Sequence, residues 1–382
     1  MLRKLRIQNY KSFKEFTEID LEPTKYQGLV DTNISNNILK GCCFYGANAS
    51  GKTNALSSIK SLIEMLFGNQ LIDLGLTKCI FSKEQDTLLE YEFIIDDQVI
   101  IYSILLHFNK GVLHEKLYLD KSLLLDRNES CAESFISTPN QFISDIDSDS
   151  LILREIYFNT KFRENETLKK WFSFLINSIY IDVHKGVLIS NSKHKLRINE
   201  YLEEYGEEKI NNFFKDVNFD QTIEYVDESK GDMSMFKTDN KNIFFKRTGV
   251  NEPIPFPFES LGNQNLLELL PSFFQTLEND GMLLIDEFSS GFHNQLEQLL
   301  VRFFMENTKN SQLFFVSHST NLLTNSLMRP DQIYAVDFKG NKGSVMKKFS
   351  EEKPRIAQNI EKMYLSGVFD GLPNYKRWYC YK

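Results

Sequence analysis

The chain has 382 residues, 42% of them hydrophobic and 13% aromatic, and a net charge of −8. That is enough to bury one large or two modest cores. No apolar run approaches the roughly 20 residues that span a bilayer, no apolar h-region follows the cationic N-terminus, and the acidic balance argues against a generally basic nucleic-acid surface.

Residues 2–10 read as a strand. The apolar segment Gly41–Tyr45 reads as another and runs into Gly46-Ala47-Asn48-Ala49-Ser50-Gly51-Lys52-Thr53, with Asn54 next. Ala55, Leu56, Ile59, Leu62, Ile63 and Leu66 then recur at helical spacing. Strand, glycine loop and helix in that order are the context of a phosphate-binding P-loop. Gly46 and Gly51 permit the sharp turn that aims successive N–H groups at phosphate oxygens. The helix N-terminus adds its positive end. Lys52 is expected to reach the β and γ phosphates and the Thr53 hydroxyl to face Mg²⁺.

Residues 89–95 and 99–108 predict a hairpin about Asp96-Asp97, and residues 113–119 a third strand. The polar stretch 126–150 predicts a loop. Asp145, Asp147 and Asp149 within it lack the EF-hand spacing and its terminal Glu, so no Ca²⁺ site is expected there. Periodicity predicts helices over 163–179 and 195–216, and a hairpin over 236–247 turning at Asn240-Lys241. Residues 126–235 therefore read as a mainly helical insertion without sustained heptads.

Glu259-Ser260-Leu261-Gly262-Asn263-Gln264 opens an amphipathic helix with Leu266, Leu267, Leu270, Phe273, Phe274 and Leu277 in phase. Ser260 and Gly262 at its N-terminus suit an anion. The P-loop already serves the chain's own phosphates, so this second site suggests sharing, with Ser260 of one subunit capping a nucleotide held by another. Met282–Asp286 reads as a fully buried parallel strand ending in an acid, and ligands bind at such strand tips in α/β sheets. Asp286 is the candidate Mg²⁺ carboxylate and Glu287 the candidate base for an attacking water. Gln312–Val316 is a similar strand, and Ser317-His318-Ser319 follows it, which places His318 to sense a γ-phosphate.

A strand over 333–337, an edge strand over 344–349 and a helix over 356–365 complete the map. The last eight residues, Tyr375 to Lys382, mix four aromatics and a cysteine with three cations. They either cover their own domain or anchor an interface. The short basic groups at Lys11 and Lys14, at Lys193-His194-Lys195 with Arg197, and at Lys376-Arg377 read as solvated faces. Cys42 and Cys43 read as core, and Cys79, Cys131 and Cys380 lack metal-ligand spacing. Reduced thiols and a cytoplasmic location are the economical expectation.

The order P-loop, signature segment, acidic strand tip and histidine resembles the ABC-type ATPase heads of RecF, SMC proteins and the OLD family, within the AAA-type ATPases. The start Leu2-Arg3-Lys4-Leu5-Arg6-Ile7-Gln8-Asn9-Tyr10-Lys11-Ser12-Phe13-Lys14 looks like their first strand. Asp286-Glu287-Phe288, Gly291-Phe292-His293 and Arg329-Pro330-Asp331-Gln332-Ile333-Tyr334 look like later segments. The resemblance is closest to stand-alone ATPase subunits of anti-phage systems of the Septu and PARIS type. Three departures stand out: Ser-Leu-Gly-Asn-Gln replaces a double glycine, Asn294 replaces a frequent proline, and no Gln-loop glutamine is placed.

The resemblance implies an α/β fold with a P-loop parallel sheet, an antiparallel β subdomain and a helical insertion. The implied division is 1–125, 126–235 and 236–382. It implies ATP and Mg²⁺ as cofactors and hydrolysis to ADP and phosphate, with Lys52, Glu287 and His318 in catalytic roles. Gly46, Ala47, Asn48, Ala49, Ser50, Gly51, Lys52, Thr53 and Asn54, joined by Ser260 and Gly262, would hold nucleotide, and Thr53 and Asp286 the metal. It further implies a homo-oligomer joined through ATP sites and a separate effector, a nuclease or toxin, with no membrane partner. The alternative is a RecF-like repair ATPase that binds DNA, which the acidic charge and short insertion disfavour. A scaffold that binds ATP without turnover is a third reading, opposed by the intact Glu287.

Overall fold

Every residue of Gly41–Tyr45, Met282–Asp286 and Gln312–Val316 is buried. Strands buried on both faces need a sheet covered by other layers on each side. The computed structural model describes residues 1–68, 73–227, 241–289 and 292–372. Its main elements run β1 (Leu2–Gln8), β2 (Thr17–Asp20), β3 (Gly41–Tyr45), α1 (Lys52–Phe67), β4 (Asp86–Ile95), β5 (Gln98–His107), β6 (Gly111–Leu119), β7 (Ser122–Asn128), β8 (Cys131–Ser134) and β9 (Gln141–Ile143). There follow α2 (Ile152–Thr160), α3 (Glu166–Ile176), β10 (Ile179–Asp182), β11 (Val187–Ser190), α4 (Ile198–Tyr205), α5 (Glu208–Asp216), β12 (Gln221–Asp227) and β13 (Lys241–Arg247). The last are α6 (Leu261–Glu278), β14 (Met282–Asp286), α7 (Asn294–Asn307), β15 (Gln312–Val316), β16 (Ile333–Phe338), β17 (Ser344–Lys348) and α8 (Ile360–Leu365).

Among the described residues, seven strands form the central sheet in the order β11-β10-β14-β15-β3-β16-β17. The inner pairs are parallel, and β11 and β17 are antiparallel edges. Alternate residues of β3 feed two cores. Cys42 and Phe44 pack with α1 and the antiparallel strands, and Cys43 and Tyr45 pack with α6 and α7. The second layer is an eight-stranded antiparallel sheet, β9-β8-β7-β6-β5-β4-β1-β2. Buried Gln312 fastens the two sheets: Leu2 N donates to its Oε1 at 2.6 Å, and its Nε2 donates to Leu2 O at 2.9 Å. No helix among the described residues is long and apolar enough to cross a membrane.

The structure departs from the sequence expectations in the middle of the chain. The loop expected over 126–150 instead carries the end of β7 together with β8 and β9, which extend the antiparallel sheet. Arg127 hides this strand from a hydropathy pattern, because its charge is fully buried. Its guanidinium faces Glu115 at 3.6 Å and donates to the carbonyls of Glu129, Asp147 and Ser150. Glu115 in turn accepts from the Tyr102 hydroxyl and from the amides of Ile152 and Leu153 that open α2.

The segment 126–235, expected as a mainly helical insertion, carries four helices and also joins the central sheet. It supplies β10, which lies parallel to β14 inside the central sheet with Asp182 opposite Asp286. The helix expected over 163–179 stops at Ile176, and Ile179 already starts β10. The helix expected over 195–216 is two helices with Gly206 between them, at φ 70°, and the last helix begins at Ile360. Lys241, expected in a turn, starts β13, whose partner is β12. Asn240 and residues 236–239 lie outside the described residues, as do Gly291 and the tail from Tyr375 to Lys382. Cys42, Cys43 and Cys79 are buried. Arg329 and Asp331, from a family-like segment, form a fully buried pair at 2.8 Å.

The buried Glu115–Arg127 pair generates a stability prediction. Arg127→Met should lower the unfolding free energy by about 3–5 kcal/mol, because it strands a buried carboxylate. Glu115→Gln should cost less, since one oxygen still accepts from the start of α2. Urea unfolding followed by circular dichroism checks the ranking. Equal costs would contradict it.

Candidate nucleotide site

The tips of β3, β14, β15 and β10 all point to the same edge of the central sheet, where the polar residues that follow them gather. β3 ends in the P-loop. A Cβ on Gly46 would lie 2.1 Å from the Val336 carbonyl oxygen, and one on Gly51, at φ 110°, would lie 2.3 Å from Ser344 Oγ. Side chains at these positions would collide with the groups that back the loop and displace it. Gly51 caps α1 without any side-chain hydrogen bond, so the first-turn amides remain for an anion. Ser50 Oγ is buried with no hydrogen-bond partner, an orphan polar atom inside the loop. Lys52 folds back to donate to Gly46 O at 3.0 Å and Ala47 O at 2.8 Å. Burial lowers its pKa, opposed by Glu287 and Asp286.

Thr53 Oγ1 donates to Asp286 Oδ1 at 3.2 Å, which joins the start of α1 to the end of β14. Tyr180 donates to Asp286 Oδ2 at 3.4 Å, and the Glu287 amide donates to Oδ1 at 3.1 Å. Burial is the largest cause raising the Asp286 pKa, the Thr53 bond opposes it, and Asp182 and Glu287 add to it. Glu287 has a left-handed backbone, φ 54°, which turns the chain at the strand tip. His318 Nε2 lies 3.8 Å from Glu287 Oε2, and its amide donates to Ser289 Oγ at 3.1 Å. Burial lowers the His318 pKa, Lys52 lowers it further and Glu287 opposes both.

Asn48, Ala49, Ser50, Gly51, Lys52, Thr53 and Asn54 share a cleft of about 900 Å³ with Glu287, His318 and His184. Ser260 and Gly262 do not line this cleft. Ser260 instead caps α6, its Oγ accepting from Asn263 N at 3.4 Å.

Sequence reasoning missed Tyr180, Asp182 and His184, although the signal was there. Ile179-Tyr180-Ile181-Asp182 is an apolar run ending in an acid, as Met282–Asp286 is. Ser12 and Ser344 are also new. Asn54 Nδ2 donates to Ser12 Oγ at 2.8 Å, and Ser344 Oγ donates to Ser50 O at 2.6 Å, so both serines brace the P-loop.

Residues 42–324 match the model of the family described as "AAA domain, putative AbiEii toxin, Type IV TA system". The match spans well over half of the chain. The chain belongs to this AAA family. The AAA chain is also similar to solved SMC heads. The SMC head domain from Thermotoga maritima shares 15% identity at a TM-score of 0.49, over 90% of this chain and 97% of that one. An SmcHead bound to the C-winged helix domain of ScpA shares 14% at 0.49, over 92% and 99%. An Smc head with an extended coiled coil, bound to the C-terminal domain of ScpA derived from Pyrococcus furiosus, shares 13% at 0.47, over 92% and 97%. No curated protein matches the sequence.

The AAA family implies nucleotide binding, and the residues present fit the group. The glycine cradle, the open amides of α1 and the orphan Ser50 hydroxyl suit phosphate oxygens. Mg²⁺ keeps waters and phosphate oxygens and needs few protein ligands, so Thr53 and Asp286 suffice to hold it. When bound, the ion would neutralise charge on the β and γ phosphates. Replacing Lys52 tests the fit. Lys52→Ala should weaken ATP binding at least about 100-fold, the ~3 kcal/mol of a hydrogen bond to a charged group. Isothermal titration calorimetry measures it, and unchanged affinity would exclude the P-loop as the site.

Proposed function

We propose that this AAA-family chain is a cytoplasmic ATPase that assembles through shared nucleotide sites and controls a separate effector, a nuclease or toxin, in anti-phage defence. The observation that supports this reading is that Ser260 and Gly262, read from the sequence as an anion site, lie outside the P-loop cleft. Residues 48–54 of the P-loop segment share one cleft with Glu287 and His318, with Asp286 buried behind Thr53, whereas Ser260 and Gly262 do not line it. Phe258 and Leu261 beside Ser260 are 69% and 66% exposed, and exposed apolar side chains around a helix N-terminus suit a subunit contact. The family description, which reads "AAA domain, putative AbiEii toxin, Type IV TA system", supports a place in a toxin–antitoxin type of system.

In this reading the P-loop amides and Lys52 hold the β and γ phosphates. Thr53 and Asp286 hold Mg²⁺. Glu287 takes a proton from water while the water oxygen bonds to the γ-phosphorus. The bond from that phosphorus to the bridging oxygen breaks, giving ADP and phosphate. His318 reads the γ-phosphate from the tip of β15. Ser260 and Gly262 of a second copy close the site from the far side.

Glu287→Gln separates binding from chemistry. It should bind ATP within about threefold of the parent and turn over at least about 100-fold more slowly, since general base catalysis contributes that much. Steady-state phosphate release beside equilibrium ATP binding checks both, and parental turnover would remove Glu287 as the base.

Sharing is tested by mixing subunits. Lys52→Ala and Ser260→Arg chains should each be inactive alone and recover about a quarter of the parental ATPase rate when mixed, because one interface of a mixed two-fold dimer has neither lesion. Mixed assembly without recovery would show that each chain completes its own site.

A further inference from the structure

One element that leaves the nucleotide cleft and one that starts outside it, at the Ser260 cap, meet at a second cleft. β10 ends at Asp182 beside Asp286, and the chain runs on through β11 to Lys195 and Leu196. α6 starts at the Ser260 cap and extends 18 residues to Glu278. Leu196, α4, α5 and the last turns of α6 enclose about 520 Å³, a volume typical of ligand sites.

Its apolar wall is made by Tyr201, Tyr205 and Phe274. The two tyrosine rings are 5.0 Å apart, and Tyr205 remains 47% exposed. Gln275, only 6% exposed, also lines the cleft. Asn279 Nδ2 donates to Gln275 Oε1 at 2.9 Å, and this leaves Gln275 Nε2 as a buried donor with no partner. Such a group is costly unless something brings an acceptor to it.

The charges at the rim select the kind of ligand. Lys209 pairs with Glu278, Lys195 pairs with Glu200, and Glu208 adds a further negative charge. A rim without net positive charge does not favour a phosphate-rich ligand. Aromatic walls around one donor suit an apolar side chain next to a backbone carbonyl.

We propose that this cleft docks a peptide segment of a separate protein and that nucleotide binding adjusts its grip. The peptide's apolar side chain enters between Tyr201, Tyr205 and Phe274, and a peptide carbonyl accepts from Gln275 Nε2 once that buried side chain turns toward the cleft. α6 supplies the coupling, because one continuous helix, interrupted in its hydrogen bonding only by Pro271, carries Ser260 and Gly262 at its start and a cleft wall at its end. The proposal rests on the reading of a separate effector and names where that protein is held.

Random dodecapeptides displayed on phage and selected on the nucleotide-free full chain provide the test. Selected peptides should lose at least about tenfold in affinity on Asn212→Trp, which fills the cleft from an exposed position, and on Gln275→Leu, which removes the donor. Gln275→Leu should do so with an unchanged or raised melting temperature, the reverse of a residue needed only for folding. Peptide affinity should also change at least about threefold when ATP is added to the Glu287→Gln chain. Absence of enrichment, equal binding to Asn212→Trp, displacement by single-stranded DNA, or an affinity indifferent to bound ATP would each overturn the proposal. ATP binding by the same preparation is measured separately. A chain that binds no ATP refutes the nucleotide reading, while selection without nucleotide still decides the cleft.

Discussion

The central sheet is buried on both faces, and most of the molecule follows from that constraint. Strands such as β3, β14 and β15 have no solvent face on which to carry polar chemistry. Their polar residues are confined to the tips, and parallel strands place those tips on one edge. The P-loop, Asp286, Glu287 and His318 are brought together there from distant parts of the chain. The Thr53–Asp286 hydrogen bond, between residues 233 apart in sequence, is the contact that closes the arrangement.

Electrostatics explains why such a site wants a cation and an anion together. Asp182, Asp286 and Glu287 bring three carboxylates to the ends of neighbouring strands, with buried Lys52 across from them. Burial disfavours the charged forms of both Asp286 and Lys52. A bound magnesium ion would relieve the acids and a bound phosphate the lysine, which here donates to the carbonyls of Gly46 and Ala47. The same loop that cradles phosphate is held from behind by Ser12 and Ser344, so its shape depends on both ends of the chain.

The buried polar groups away from the site serve the architecture. Gln312 locks the first strand to the central sheet through two hydrogen bonds, and Glu115 with Arg127 fixes the start of α2 to the antiparallel layer. Each of these three groups is matched by partners, as low-dielectric surroundings require. Gln275 Nε2, like Ser50 Oγ at the P-loop, is among the buried polar atoms that are not, and it lies in the last turns of α6.

The sequence by itself determined the elements whose physics is local. Gly41–Tyr45, Met282–Asp286 and Gln312–Val316 are legible because a strand buried on both faces must be a short apolar run. The P-loop is legible because glycines, a lysine and a helix start have fixed spacing, and α6 is legible because its leucines and phenylalanines recur in phase. What lies between 126 and 235 was decided by tertiary structure. Arg127 makes a strand look like a polar loop, since nothing in its neighbours announces that Glu115 and three carbonyls will absorb its charge. β10 looks like the tail of a helix until pairing with β14 sets Asp182 beside Asp286 and brings Tyr180 and His184 to the cleft. Strand pairing is a long-range choice settled by which faces can be buried together, and a pattern read along one segment contains no record of its partner.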